Sequence, residues 1–295
     1  MQQMKYTALF PQLDARLLDY SSTFDFTATD QYNPRNNYLL SQLSALVYKE
    51  EQEIQDQIVE WNTRGGTSLK VYVENVESFR FMIISTSEFI IVAFRGTINY
   101  QNWLADFDLK KVPFDDGVGE VHQGFYDSVL KMENAVDKAV RKISVGSEKI
   151  YVTGHSLGGA QAVIWAYTFS SLKQFVSIHT YGVPRIGNSD LINFMDQSLH
   201  SEKPNAKSKV FRMVNAWDPV PHVPYFGYYH VGGFYLYNAS VGDSYALENT
   251  PKPASATDEE MMLSEDEKMA VRINYHSIGV YVENAEANVK NPVFS

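Results

Sequence analysis

Apolar residues change their spacing along the chain, and the changes mark out its elements. Over residues 36–61, "NNYLLSQLSALVYKEEQEIQDQIVEW", Leu39, Leu43, Leu46, Val47, Ile54 and Ile58 recur at helical intervals. Three short runs follow: "LKVYVENV" (69–76), "FRFMIIST" (79–86) and "EFIIVAFRG" (88–96). They are rich in β-branched and aromatic residues, which predicts successive antiparallel strands joined by tight turns. Residues 120–145 return to helical spacing, with Phe125, Val129, Met132, Val136 and Val140 on one face.

From there strands and helices alternate. "KIYVTG" predicts a strand and "SLGGAQAVIWAYTFSS" a helix. "FVSIHTYG" predicts a strand, "SDLINFMDQSL" a helix and "KVFRMVNA" a further strand. Alternation of this kind implies right-handed crossovers and a mostly parallel central sheet, here with an antiparallel N-terminal part. The expected architecture is α/β, a single domain over 1–295 with helices on both faces. One stretch departs from the pattern. Residues 239–268 carry Asp243, Glu248, Asp258, Glu259, Glu260, Glu265, Asp266 and Glu267 around a Pro-, Ser- and Thr-rich middle. They are expected to form an acidic surface insertion.

Composition narrows the chemistry. The 295 residues are 44% apolar and 20% charged, enough for a sizeable core. The 19 Tyr and 17 Phe could line an apolar cleft, although aromatics more often serve as plain core. A net charge of −10 argues against nucleic acid and against strong attraction to anionic membranes, but leaves neutral lipids and esters open as partners. With no cysteine, disulfides, thiolate metal sites and a thiol nucleophile are excluded. The opening "MQQMKYTALF" has no basic region followed by an apolar one, and no run is long enough to span a membrane. The expectation is an intracellular protein, or a secreted one whose leader lies outside this chain.

Gly154-His155-Ser156-Leu157-Gly158 fits G-x-S-x-G. The pattern alone is weak, but here it falls between a predicted strand and a predicted helix, as a nucleophile at a sharp turn requires. Gly154, Gly158 and Gly159 would relieve collisions between the turn, the strand and the helix. The helix that begins behind the serine would aim free N–H groups at an oxyanion. The competing reading is a glycine-rich turn with an idle serine.

A serine needs a base to take its proton, and in an open α/β sheet the partners follow in the order serine, acid, histidine. The strand "KVFRMVNA" leads into "WDPVPHVP", which places Asp218 where the acid belongs. His222, His230 and His276 come after it. His222 lies too close to Asp218 to reach Ser156 easily, so His276 is assigned as the base, with His230 in reserve. Thr97, in "VAFRGT", could supply a second oxyanion donor. The following "INYQNWLADFDL" is only partly amphipathic and reads from its residues as a half-buried connecting helix. Pairs such as Asp106 and Asp108 are expected to be solvated rather than metal ligands, and no metal or cofactor is called for.

The blocks "VAFRGT…NWLADFD", "VHQGFYDS", "IYVTGHSLGGAQAVIWA", "YGVPRIGN", "RMVNAWDPVPHVP" and "INYHSIGVY" resemble, in order, the signature blocks of the class 3 lipases, over roughly residues 30–285. The resemblance implies an α/β-hydrolase fold with Ser156 as nucleophile, Asp218 as acid and His276 as base. It implies an oxyanion hole from Thr97 and the backbone of Leu157. It also implies a lid over the active site from about Ile98 to Leu109, with Ile98, Trp103, Leu104 and Phe107 facing lipid or substrate. The implied activity is hydrolysis of acylglycerol esters through an acyl-enzyme. Phospholipid, galactolipid, short-chain or feruloyl-type esters are alternatives for the same triad, and a catalytically silent lipid-binding protein is a more distant one. Secreted fungal members usually carry a leader and disulfides, and this sequence shows neither.

Overall fold

The computed structural model describes residues 18–98, 108–114, 117–169, 175–199, 209–237 and 275–290. Trp103, Leu104 and Phe107 of the expected lid lie outside them, as does the acidic stretch 239–268. Six helices and nine strands are found among the described residues. The helices are α1 (Pro34–Leu46), α2 (Glu51–Gly65), α3 (Gln123–Ile143), α4 (Leu157–Phe169), α5 (Ser189–Leu199) and α6 (Ile278–Lys290). The strands are β1 (Lys70–Val76), β2 (Phe79–Ser85), β3 (Phe89–Phe94), β4 (Lys111–Pro113), β5 (Glu120–His122), β6 (Lys149–His155), β7 (Phe175–Tyr181), β8 (Val210–Asn215) and β9 (Gly233–Tyr237).

Seven strands form the central sheet in the order β1-β2-β3-β6-β7-β8-β9. β1, β2 and β3 pair antiparallel, as their short turns require. From β3 onward every pairing is parallel. The parallel strands therefore all end at one edge of the sheet, where loops from successive strands meet. β4 and β5 make a separate two-stranded ribbon.

Burial explains the layers. β2 and β3 are almost wholly buried, so both of their faces are covered. On one face, Phe125, Val129, Met132, Val136 and Val140 of α3 join Phe81, Ile83, Ile90, Val92 and most of α4 in one apolar cluster. On the other, Leu39, Leu40 and Leu43 of α1 join Met82, Ile84, Ile91 and Ala93, with Tyr281, Val282 and Ala285 of α6 closing the layer.

Two expectations need correction. The helical pattern over 36–61 is two helices. α1 is capped by the Asn33 side chain and begins at Pro34. α2 opens with a capping box between Glu50 and Glu53 and closes on Gly66, whose φ of 62° is left-handed. The apolar spacing carried across a chain break that the caps reveal. The helix expected from residue 120 starts at Gln123, because Glu120–His122 pairs with β4. β9 and α6 had no counterpart in the sequence reading.

Truncation should separate the two faces of α3. Met132 is buried, whereas Leu130 is 40% exposed. Met132→Ala should cost about 2–5 kcal/mol, and Leu130→Ala about 0.5 kcal/mol or less, as measured by denaturant unfolding.

Candidate active site

β6 ends at His155, and α4 begins two residues later at Leu157. The one residue between them, Ser156, has φ of 57°, a left-handed value that a residue with a side chain adopts only when its surroundings enforce it. The enforcement is steric. A Cβ on Gly154 would collide with the carbonyl of Gly158, and one on Gly158 with the carbonyl of Phe94. The strand, the helix start and the end of β3 thus meet backbone to backbone. Gly159 is less constrained, its added Cβ falling 3.1 Å from that of Val183. The Ser156 N–H donates to the Tyr181 carbonyl at 3.0 Å, tying the turn to the neighbouring strand. The Ser156 hydroxyl is buried and makes no hydrogen bond among the described residues.

Asp218 and His276 meet beside this turn. Nδ1 of His276 lies 2.8 Å from Oδ2 of Asp218, and both side chains are fully buried. A carboxylate only accepts, so Nδ1 carries the proton and Nε2 is the basic face of the ring. Asp218 is held on both oxygens. The Val220 N–H donates to Oδ1 at 2.8 Å, and the Tyr281 hydroxyl donates to Oδ2 at 2.7 Å. Burial and the adjacent carboxylate push the Tyr281 phenol well above its usual range, so it remains a donor. Gly182, with φ of 59°, makes room for the pair. A Cβ there would lie 2.7 Å from Asp218 Oδ2 and 2.9 Å from His276 Nδ1.

A second set of contacts joins the elbow to the base. Nε2 of His155 donates to the His276 carbonyl at 2.7 Å, and the two ring centroids lie 4.6 Å apart with the planes tilted by 34°. With Nε2 protonated, Nδ1 of His155 accepts from the Tyr48 hydroxyl at 3.2 Å. Gly96 packs against the Tyr48 oxygen so closely that a Cβ there would collide with it. Burial, then the His276 ring, holds His155 well below the ordinary histidine pKa, so it stays neutral. The chain Gly96–Tyr48–His155–His276 links the loop after β3, the elbow and the base loop.

Thr97 follows Gly96, whose added Cβ would fall 3.2 Å from that of Ser156. Leu157 is the first residue of α4, where backbone N–H groups have no partner inside the helix. Thr97 and Leu157 thus each neighbour a residue that adjoins or forms the Ser156 turn. Ile98 is 73% exposed just beyond. The reserve histidine points elsewhere, with His230 Nε2 bonded to the Pro221 carbonyl at 2.7 Å. Among the described residues no cluster of His, Asp and Glu could hold a metal, and no helix is long and apolar enough to cross a membrane. A separate hollow of about 580 Å³, lined by Lys70, Ser85 and Lys142 among others, sits at the opposite edge of the sheet.

Sequence reasoning passed over Gly182, Tyr281, Tyr48 and the role of His155. Only the position of His155 inside the G-x-S-x-G pattern signalled proximity to the serine.

Comparison with known proteins agrees with this geometry. Residues 91–228 match the family model described as Lipase (class 3). Over that stretch, a little under half of the chain, the protein is similar to the class 3 lipases. It is 34% identical over 151 residues to a secreted mono- and diacylglycerol lipase of Fusarium solani, covering 50% of this chain and 43% of that protein. It is 33% identical over 156 residues to a lipase of Rhizomucor miehei, covering 50% and 41%. The matches thus span less than half the length of these curated relatives. Among solved structures, the Rhizomucor miehei triacylglyceride lipase aligns with a TM-score of 0.56 and 25% identity, over 68% of this chain and 78% of that one. The lipase of Rhizopus microsporus var. chinensis aligns with a TM-score of 0.53 and 26% identity, over 68% and 72%. The fold is that of the α/β-hydrolases.

The buried histidines predict acid lability. Desolvation holds His155 well below 6.5 and brings His179 down to about 3. Unfolded, both would bind a proton below about pH 6.5. The unfolded state then carries more protons, so stability is intact above that pH and falls below it. Each histidine kept neutral should cost about 1.4 kcal/mol per pH unit. The midpoint of urea unfolding, followed from pH 7 to 5, checks the direction and slope.

Proposed function

We propose that the protein is a serine ester hydrolase that cleaves acylglycerols. The observation that carries the reading is the buried Asp218–His276 pair beside a serine held in left-handed geometry. The activities of the relatives, mono- and diacylglycerol lipase and triacylglyceride lipase, support acylglycerols as the substrate class. Because the alignments cover only part of those proteins, the substrate is inferred rather than inherited.

In this mechanism Ser156 Oγ attacks the ester carbonyl. Nε2 of His276 takes the serine proton and then passes it to the leaving alcohol. Asp218 fixes the imidazole tautomer and stabilises the imidazolium. The Leu157 N–H and the Thr97 N–H or hydroxyl stabilise the oxyanion, and loss of one such donor typically lowers turnover about a hundred- to a thousandfold. Water then releases the acyl group by the same proton path in reverse. The hydrogen bond between Ser156 and His276 forms as substrate arrives, since catalytic contacts are often open without ligand.

Ser156→Ala should abolish hydrolysis of a soluble p-nitrophenyl ester and labelling by a fluorophosphonate, with circular dichroism unchanged. Residual hydrolysis above about 1% of the parent rate would end the assignment. A panel of mono-, di- and triacylglycerols against phospholipid, galactolipid and feruloyl esters then tests the substrate class.

Gly182→Ala offers a subtler probe. The added methyl pushes on both Asp218 Oδ2 and His276 Nδ1. A displacement near 1 Å can cost on the order of a hundredfold in rate. The expected result is a kcat lowered on that scale in a folded protein, read from soluble-ester kinetics.

A further inference from the structure

The loop between Asp218 and β9 carries an aromatic tip. Residues 225–229 read Tyr-Phe-Gly-Tyr-Tyr. Phe226 is 95% exposed, Tyr225 45% and Tyr229 49%. A single exposed apolar residue calls for no explanation, but three aromatics within five residues form a patch. Leu109, 62% exposed, is tied to the same loop, because the Tyr228 hydroxyl donates to its carbonyl at 2.7 Å.

This tip is built rather than loose. Lys111 Nζ donates to the Gly227 carbonyl at 3.0 Å and stands over the Tyr228 ring. Arg185 donates to the Tyr225 carbonyl at 3.0 Å. Tyr229 exchanges backbone hydrogen bonds with Gly187 and Ile186. Gly227, with φ of 69°, makes the sharp turn that projects Phe226 outward. The fold thus holds the base of the loop firmly while leaving its most apolar side chain in water.

Position and charge indicate what covers it. The loop rises from the edge of the sheet that carries Ser156, and it begins at the segment holding Asp218. An ester bound for the serine crosses this rim. In a chain of net charge −10, residues 219–233 contain no Asp or Glu. Phe with flanking Tyr suits an apolar–water boundary, where the rings enter and the hydroxyls stay wet.

We propose that the 225–229 loop is a fixed anchor that inserts Phe226 into the surface of an uncharged lipid aggregate, an acylglycerol droplet, and so presents the catalytic edge to it. The inference deepens the lipase reading and rests on it.

The test reads binding without turnover. In a Ser156→Ala background, flotation with phosphatidylcholine-stabilised triolein droplets measures partition. Phe226→Ser should lower partition on the order of tenfold, whereas Phe226→Leu should stay close to the parent. In the active enzyme, Phe226→Ser should leave hydrolysis of soluble p-nitrophenyl acetate unchanged. Equal partition of Phe226→Ser and its parent would overturn the proposal. So would a parent that is a dimer in solution and becomes a monomer on Phe226→Ser, since the tip would then be a self-association surface. If the active enzyme fails on the soluble ester, the hydrolase reading falls, while the flotation result still decides the anchor.

Discussion

At positions 154 and 158 the backbones of β6, α4 and the end of β3 come closer than any side chain allows. The rest of the site depends on that approach. It forces Ser156 into a left-handed conformation, raises its side chain at the carboxyl edge of the sheet and aims the first N–H groups of α4 at the same space. Strain of this kind persists only when its surroundings over-determine it. Here they do so through a parallel sheet on both sides, with the Ser156 N–H fixed to Tyr181 and the loop after β3 pressed against its Cβ.

Asp218 and His276 depend on different supports. Asp218 follows β8, and its carboxylate is oriented by a backbone N–H two residues on and by a phenol from α6. His276 precedes α6, and its main-chain carbonyl accepts from His155. The base is therefore held at its ring by the acid and at its backbone by the elbow. Tyr48, at the end of α1, completes the contact on the other side of His155. The arrangement places a carboxylate and neutral, deeply desolvated groups around the His276 imidazole, and a desolvated setting is where preorganised dipoles act most strongly.

The sheet and the elbow were legible because their signals are local. β-branched runs between turn residues marked β1 to β3, and alternation with helical spacing marked β6 to β8. Topology alone led to the expectation that Asp218 and His276 meet, and they lie 2.8 Å apart. What was not legible is tertiary. α6 begins "IGVYVENAE", whose β-branched and aromatic start has no strong helical preference, and its helix is secured by packing on α1. β9 is five residues beginning at glycine, and among the described residues its strand partner is β8, far from any local signal. Gly182 looked like any turn glycine until Asp218 and His276 were seen on top of it. Tyr48 and Tyr281 sat among 19 tyrosines, and nothing in their neighbourhoods distinguished a site phenol from a core one.

The clasp between α1 and α6 has a consequence for how sequence variants would be interpreted. The leucines of α1 touch neither serine nor acid, yet they form the bed on which the helix carrying the imidazole's loop rests. Variation there would be scored in a functional screen alongside changes at the reactive atoms, although its origin is a helix that begins more than two hundred residues away from the base. For this fold, a map of intolerant positions would trace the seating of the histidine as much as the shape of the cleft.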